Sequence, residues 1–288
     1  MNEIAGPAVL LRRRPYGDAD LILTLLTRDF GKRTVMARSA RRSVRRFAGC
    51  LDPFSLLRIV AGPGKGGLDG LREASLDDAF PALRRDIRRV AVAGFWAEVA
   101  DRWLEPAAPR PDLFELFRAA LIHLDAGRLP TARVHLIFQL RFLDLAGLAP
   151  DLFRCRDCGR SVDAGAAWPD IPAGGFRCGR CSPSADREPP LPAGVLPLLR
   201  RAARKPDVRS ADPADKADGT AREDREAPPG PRAGFPAADA PAAELLERFV
   251  SHHLGRTPRS LAFLRDLRNA TVPVPFPERR AAHAGSSA

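Results

Sequence analysis

Between residues 4 and 76 the apolar positions come in short runs separated by turn residues. The runs are Ala8-Val9-Leu10-Leu11, Leu21-Ile22-Leu23-Thr24-Leu25-Leu26, Thr34-Val35-Met36-Ala37, Phe54-Ser55-Leu56-Leu57-Arg58-Ile59-Val60 and Leu68-Asp69-Gly70-Leu71. They are broken by Tyr16-Gly17-Asp18, Asp29-Phe30-Gly31-Lys32 and Gly62-Pro63-Gly64-Lys65-Gly66-Gly67. Runs of this length with Gly, Pro and Asp between them read as five strands joined by tight turns. A unit this small can close on itself as a barrel, and an OB-type barrel is one way of doing so. Periodicity alone does not choose that barrel over an SH3-like one.

After Pro81 the period lengthens. Ile87, Val90, Ala91, Gly94, Phe95, Val99 and Trp103 recur at helical steps, and two more helical stretches cover 112–125 and 131–145. Asp112, directly after Pro111, is the expected cap of the first, with Gly127 and Gly147 as stops. The leucine and aromatic stripes of these helices read as core. Helical spacing resumes at Ala243-Glu244-Leu245-Leu246-Glu247-Arg248-Phe249-Val250 and continues through Leu261, Phe263, Leu264 and Leu267. The expected fold is therefore α+β and multidomain. A five-stranded barrel occupies 1–80 and a helical domain 81–150, followed by a cysteine module at 151–185 and a helical return at 186–204. A pair of C-terminal helices at 237–275 docks on the helical domain, with a tail at 276–288.

Composition changes the picture at one place. Residues 205–236 hold six Pro, six Ala, three Gly and thirteen charged residues, with only Val208 and Phe235 as large apolar side chains. Such a segment buries too little surface to offset its ordering entropy and is expected to be a disordered linker. The whole chain of 288 residues has 46 Lys and Arg against 35 Asp and Glu, a formal charge of +11. The linker carries seven acids and six bases, so the surplus of twelve belongs to the rest. The N-terminus has no basic and apolar leader pattern, and no stretch is apolar enough to span a bilayer, so a cytoplasmic protein with no membrane contact is expected.

Four of the five cysteines form two knuckles, Cys155-Arg156-Asp157-Cys158 and Cys178-Gly179-Arg180-Cys181, 19 residues apart. Each knuckle offers two thiolates from one tight turn, and the spacing suits a four-cysteine zinc site. Four thiolates close the tetrahedron, so one structural Zn2+ per chain is expected rather than a catalytic one. Redox use normally needs one such pair at a helix start. Arg154, Arg156, Arg160, Arg177 and Arg180 surround the knuckles and either offset the thiolate charge or touch phosphate. Cys50 reads as a small buried residue.

The densest charge lies earlier. Arg28, Lys32, Arg33, Arg38, Arg41, Arg42, Arg45 and Arg46 face a single acid, Asp29, within 19 residues, and Arg12-Arg13-Arg14 ends the first run. A one-signed cluster of this density suits phosphate contacts, and these eight residues are the expected nucleic-acid-binding set. No helix-turn-helix or basic-zipper pattern accompanies them, which favours backbone-led or single-strand binding. Aromatics near the cluster are Tyr16, Phe30, Phe47 and Phe54, for each of which core packing competes with base stacking. No phosphate loop, nucleophile elbow, paired-carboxylate or histidine metal motif is present, so neither an enzyme nor a small-molecule substrate is expected.

The order of small basic barrel, helical domain, four-cysteine insert and return helices resembles the RecO family of bacterial recombination mediators. The resemblance rests on residues 9–27, on Phe30-Gly31-Lys32, on Ala37-Arg38-Ser39-Ala40-Arg41-Arg42 and on Leu51-Asp52-Pro53-Phe54. Farther on it is carried by residues 143–150 leading into Cys155, by Gly174-Gly175-Phe176-Arg177-Cys178 and by residues 253–260. It implies an OB-fold that binds single- and double-stranded DNA and promotes annealing without catalysis, with DNA contact at Lys32, Arg33, Arg38, Arg41 and Arg42. It further implies RecR and the C-terminal tail of the single-strand-binding protein as partners, RecA as an indirect one, and a nucleoid-associated location. The linker departs from the family pattern. A reading of a different class is a zinc-ribbon scaffold whose basic loop binds an acidic protein.

Overall fold

The computed structural model describes residues 3–43, 46–47, 49–64, 68–163, 167–182, 189–204 and 239–269. The expected linker at 205–236, the tail at 276–288 and Arg45 lie outside them.

Five strands, β1 (Ile4–Tyr16), β2 (Asp20–Thr27), β3 (Gly31–Ala37), β4 (Leu56–Gly62) and β5 (Asp69–Asp78), close into a barrel in the order β1-β2-β3-β5-β4. All pairings are antiparallel except β3 with β5, where Val35 and Met36 meet Asp69 and Gly70 in parallel. This five-stranded Greek-key closure is the OB-fold, and it resolves the choice that periodicity left open. Ala8, Leu10, Leu23, Leu25, Val35, Leu57, Ile59, Ala61 and Leu71 fill the interior. Phe47, Cys50 and Leu51, from the connection between β3 and β4, plug one end. Cys50 is buried there as expected, and burial pushes its thiol pKa up.

The unbroken run Ala8-Val9-Leu10-Leu11 has a physical reason. A strand buried on both faces has no need to alternate. Ala8 and Leu10 enter the barrel, whereas Val9 and Leu11, with Leu26 of β2, join a second core shared with the helices. That core is built by α1 (Pro81–Arg84), α2 (Ile87–Trp103), α3 (Pro111–Ala126) and α4 (Thr131–Leu145). Trp96 stacks on Phe138 at 4.3 Å and meets Phe117 edge-on at 6.3 Å. At the start of α3, Pro111 takes the first helical position and Arg110 the cap. Asp112 is therefore in the first turn rather than at the cap expected for it, and pairs with Arg110 at 2.8 Å. Gly127 ends α3 in the left-handed region that favours glycine.

After the cysteine module come α5 (Val195–Ala203), α6 (Asp239–His253) and α7 (Arg259–Asn269). Helix α6 packs on α4 and α5, and α7 on α2. A polar thread crosses this interface. Trp96 can only donate, so its Nε1–H, 2.9 Å from His135 Nδ1, assigns the proton of the ring to Nε2, which donates to Glu247 Oε1 at 3.1 Å. Arg268 of α7 closes the thread on Glu247. Burial of His135 lowers its pKa and keeps the ring neutral, although Glu247 works in the opposite direction.

The barrel is fixed to the helices where β3 begins. Lys32 O accepts the Ala107 N–H at 2.9 Å, and Lys32 bridges Pro106 in parallel, so the stretch after α2 joins the barrel edge like a short strand. Gly31 has φ +68°, and a Cβ there would lie 2.2 Å from the Ala108 oxygen. Gly31→Ala is expected to lower stability by about 2–4 kcal/mol through backbone strain and loss of this close approach. Chemical denaturation of the variant against the parent measures it, and an unchanged midpoint would contradict the docking role.

Candidate nucleic-acid interface and metal centre

The basic residues singled out from the sequence divide by where their strands run. Arg28 and Lys32, just before and at the start of β3, face the helical domain. Lys32, expected at a DNA surface, instead has a side chain only 13% exposed, with Nζ on the Asp101 backbone oxygen and 3.5 Å from its carboxylate. Asp101 also takes Arg12 of β1 at 3.0 Å. Arg28, in the β2–β3 turn, reaches Glu115 of α3 at 3.5 Å. Arg33 is half-buried, donating to Phe30 O at 3.2 Å with Asp69 3.9 Å away. Lys32 and Arg28 lie against groups of α2 and α3 that dock the barrel, whereas the partners of Arg33 are within the barrel.

At the other end of β3 the arginines are exposed and meet no acid among the described residues. Arg38 and Arg42 are exposed, and neither side chain meets an acid among the described residues. Arg41 is exposed with NH1 on Asp18 O at 3.2 Å, and its N–H donates to Ala19 O at 2.9 Å. Ser39 N donates to Asp20 Oδ1 at 2.7 Å, so residues 39–41 are pinned to the β1–β2 turn. Arg46 is held by Leu71 O and Arg72 O, with its guanidinium 4.9 Å from the Phe47 ring centroid. Arg13 is bound to Asp52 at 2.7 Å, whereas Arg14 is exposed and unpaired among the described residues.

Two clefts flank this end. One of about 460 Å³ is lined by residues that include Arg13, Pro15, Leu21, Arg41 and Phe47. A second of about 250 Å³ lies across β3 and β5 between Met36, Arg38, Arg46, Gly64, Gly70 and Arg72. Of the four aromatics near the cluster, Phe47 is buried, and Phe30 and Phe54 pack against the two cores. Tyr16 stands out at 55% exposed, a position that strand periodicity alone does not distinguish from a packed one.

The cysteine module is a hairpin of β6 (Ala167–Asp170) and β7 (Gly175–Cys178) with the first knuckle laid beside it. Arg156 N donates to Phe176 O at 2.9 Å, and Gly159 N to Cys155 O at 2.9 Å, which turns the first knuckle. Cys181 N and Ser182 N both donate to Cys178 O and turn the second. Phe176 is buried 6.2 Å from Phe249 of α6, and Arg200 of α5 holds Leu152 O at 2.9 Å and Val162 O at 2.8 Å. The module is thus seated on the return helices.

The four sulfurs lie within 4.8 Å of one another, with Cys158 and Cys178 at 3.7 Å. Tetrahedral bonds of about 2.3 Å separate ligand sulfurs by about 3.8 Å, so the donor set fits one metal ion. Burial opposes ionisation of Cys155, but the amide groups of Cys158, Cys178 and Asp157 prevail and bring its pKa to about 6. Cys181, hydrogen-bonded to the Cys158 sulfur, is pushed up to about 12. The cluster as it stands therefore favours a thiolate at Cys155 and a proton on Cys181, an opposition that a cation among the four sulfurs would relieve. Of the surrounding arginines, Arg177 is committed to Asp170 at 2.6 Å and Asp157 at 3.3 Å. Arg154, Arg156, Arg160 and Arg180 are exposed.

No helix among the described residues is long and apolar enough to cross a membrane. Residues 1–80 match the family model for the N-terminal part of recombination protein O, and residues 84–262 the model for its C-terminal part. The DNA repair protein RecO of Desulfatibacillum aliphaticivorans is 37% identical over 273 residues, covering 93% of this chain and 98% of its own. The RecO proteins of Desulfosudis oleivorans and Myxococcus xanthus are 34% and 33% identical, covering 93% and 92% of this chain and 100% and 98% of theirs. Both halves of the fold, the barrel and the helices that carry the cysteine module, fall within these matches, and the chain belongs to the RecO family.

Proposed function

We propose that the protein acts in DNA repair as a non-enzymatic recombination mediator, gripping DNA through the free end of its barrel and promoting strand annealing. The observation that carries this reading is the set of exposed arginines, Arg38, Arg41, Arg42 and Arg46, around the two clefts at one end of an OB barrel. Loops and the β2–β3 face are the part of this fold that takes oligonucleotides elsewhere. Arginine forks facing solvent supply phosphate contacts that hold a strand without reading its sequence. Arg14 extends the set, and Arg45 adjoins it in sequence. Arg28 and Lys32 act instead in docking the barrel, and Arg33 is held within the barrel by Phe30 O and Asp69.

In this reading RecR and the C-terminal tail of the single-strand-binding protein are the partners through which the protein helps load RecA. The name of the matched relatives, DNA repair protein RecO, supports the repair role. The four cysteines hold one structural Zn2+, because a closed set of four thiolates suits that ion and leaves no position for a substrate. When bound, the ion neutralises the thiolates and locks the two knuckles together. The residues around it seat the module on α5 and α6.

Reversing three charges in Arg38→Glu/Arg41→Glu/Arg42→Glu is expected to weaken single-strand binding strongly and to flatten the plot of log affinity against log salt by about 2–3. Fluorescence anisotropy across a salt series reads both, and a variant that bound like the parent would overturn the assignment. The same variant should fail to accelerate annealing of complementary strands coated with single-strand-binding protein. A parent protein that leaves that rate unchanged would favour the scaffold reading.

For the metal, elemental analysis of freshly purified, reduced protein is expected to give about one zinc per chain. Cys158→Ser should lose it together with the amide protection of residues 151–182, since binding and local folding are coupled. Zinc-free protein with that protection intact would rule the site out.

A further inference from the structure

Arg14 and Tyr16 lie two apart on the end of β1 and so point to the same face of the strand. The bulge between Leu10 and Arg12 sets which face this is, since Arg12 on that face reaches out of the barrel to Asp101 of α2. Arg13 and Pro15, on the opposite face, line the larger cleft at the barrel end. Across the sheet, Arg14 pairs with Ile22 of β2, and Ile22 with Met36 of β3. Met36 in turn pairs with Gly70 of β5 and borders the smaller cleft beside Arg38, Arg46 and Arg72. One outer stripe thus runs over β1, β2, β3 and β5. Its middle is apolar and half-buried, and arginines stand at both ends.

Tyr16 is the only tyrosine of the chain and the most exposed large apolar side chain among the described residues. No other ring and no guanidinium covers it among those residues, whereas Arg46 lies over Phe47 and Arg200 over Phe153. Its backbone is fixed. Tyr16 pairs with Asp20, and Asp20 and Ala19 hold residues 39 and 41 of the basic loop at 2.7 and 2.9 Å. A flat, open ring on a rigid strand end, with phosphate-binding side chains beside it, is the arrangement on which an unpaired base stacks. Tyrosine has only two side-chain torsions to order, so little freedom is lost when it does so.

We propose that Tyr16 is a base-stacking platform for single-stranded DNA, and that it gives this barrel a preference for unpaired over duplex strands. The inference rests on the proposed DNA-binding role and deepens it. Arginines around the clefts grip phosphates of either form. A base inside a duplex is already stacked on its neighbours and gains nothing from Tyr16. A base in a single strand is free to stack, so only the single strand receives the added affinity. A polypeptide partner on this stripe is the competing occupant, and the choice of probe separates the two.

The test uses the full-length protein with three probes: oligothymidylate, an abasic strand of the same length, and a mixed-sequence duplex of the same length. The abasic strand keeps the phosphates and lacks the bases. Tyr16→Ala is expected to lose roughly 5- to 20-fold affinity for oligothymidylate, the lower part of the range for one stacked base, with no change on the abasic strand or the duplex. Tyr16→Phe and Tyr16→Trp should retain the parent's affinity, because the ring and not the hydroxyl is used. An oligothymidylate affinity unchanged in Tyr16→Ala would overturn the inference and leave the DNA-binding role standing. Equal loss on all three probes would overturn it too, since a merely structural side chain does not distinguish them, and so would a Tyr16→Phe variant that behaves like Tyr16→Ala. Failure of the wider reading looks different: the Arg38/Arg41/Arg42 charge reversal would then bind every probe like the parent.

Discussion

Asp101, near the end of α2, holds two cations that come from different strands of the barrel, Arg12 of β1 and Lys32 of β3. Around this carboxylate the Lys32 carbonyl takes the Ala107 N–H, and Gly31 lets the Ala108 backbone approach where any side chain would block it. Val9, Leu11 and Leu26 close the same seam with apolar contact. Removing one member of a partly buried ion pair leaves the other charge uncompensated, and here the pairs act beside a backbone hydrogen bond and a shared core. The division of the barrel's surface follows from that seam. It covers the side of the barrel where β3 begins and leaves the side where β3 ends turned away.

The division of charge follows from the same geometry. Cations near the seam, Arg12, Arg28 and Lys32, have acids opposite them on α2 and α3, and their charge is paired there. Arg38, Arg41 and Arg42, at the far end of β3, meet none among the described residues. The excess positive potential of the barrel is therefore concentrated on one rim, although the basic residues are spread almost evenly along nineteen positions of sequence. Phe47, Cys50 and Leu51 plug the barrel from within and give the rim a rigid floor.

Strand and helix positions were largely legible because burial imposes its period on the sequence. The run Ala8-Val9-Leu10-Leu11 announced a strand, and the two cysteine knuckles announced one cluster. Four features were not legible, each because it depends on residues far away in the chain. Lys32 reads as one more cation until Asp101, 69 positions away, is brought beside it. Tyr16 reads as core or surface alike, since only the closure of the barrel and the bulge in β1 decide which way it faces. His135 carries no local motif, yet its ring is fixed by Trp96, 39 positions before it, and Glu247, 112 after it. The barrel type was open for the same reason, as the parallel contact of β3 with β5 joins residues far apart in the chain.

A protein that brings complementary strands together must hold them without hiding the edges by which they pair. Side chains that read sequence would do the opposite, because they occupy the hydrogen-bonding groups of the bases. Guanidinium groups on phosphates leave those groups untouched, and stacking uses the face of a base rather than its edge. The free rim of this barrel offers arginines and one open aromatic ring. Docked phosphate-first, a strand would keep its pairing edges turned to solvent. A complementary strand could then meet it there, and the duplex formed would no longer stack on Tyr16 and would be held by the arginines alone.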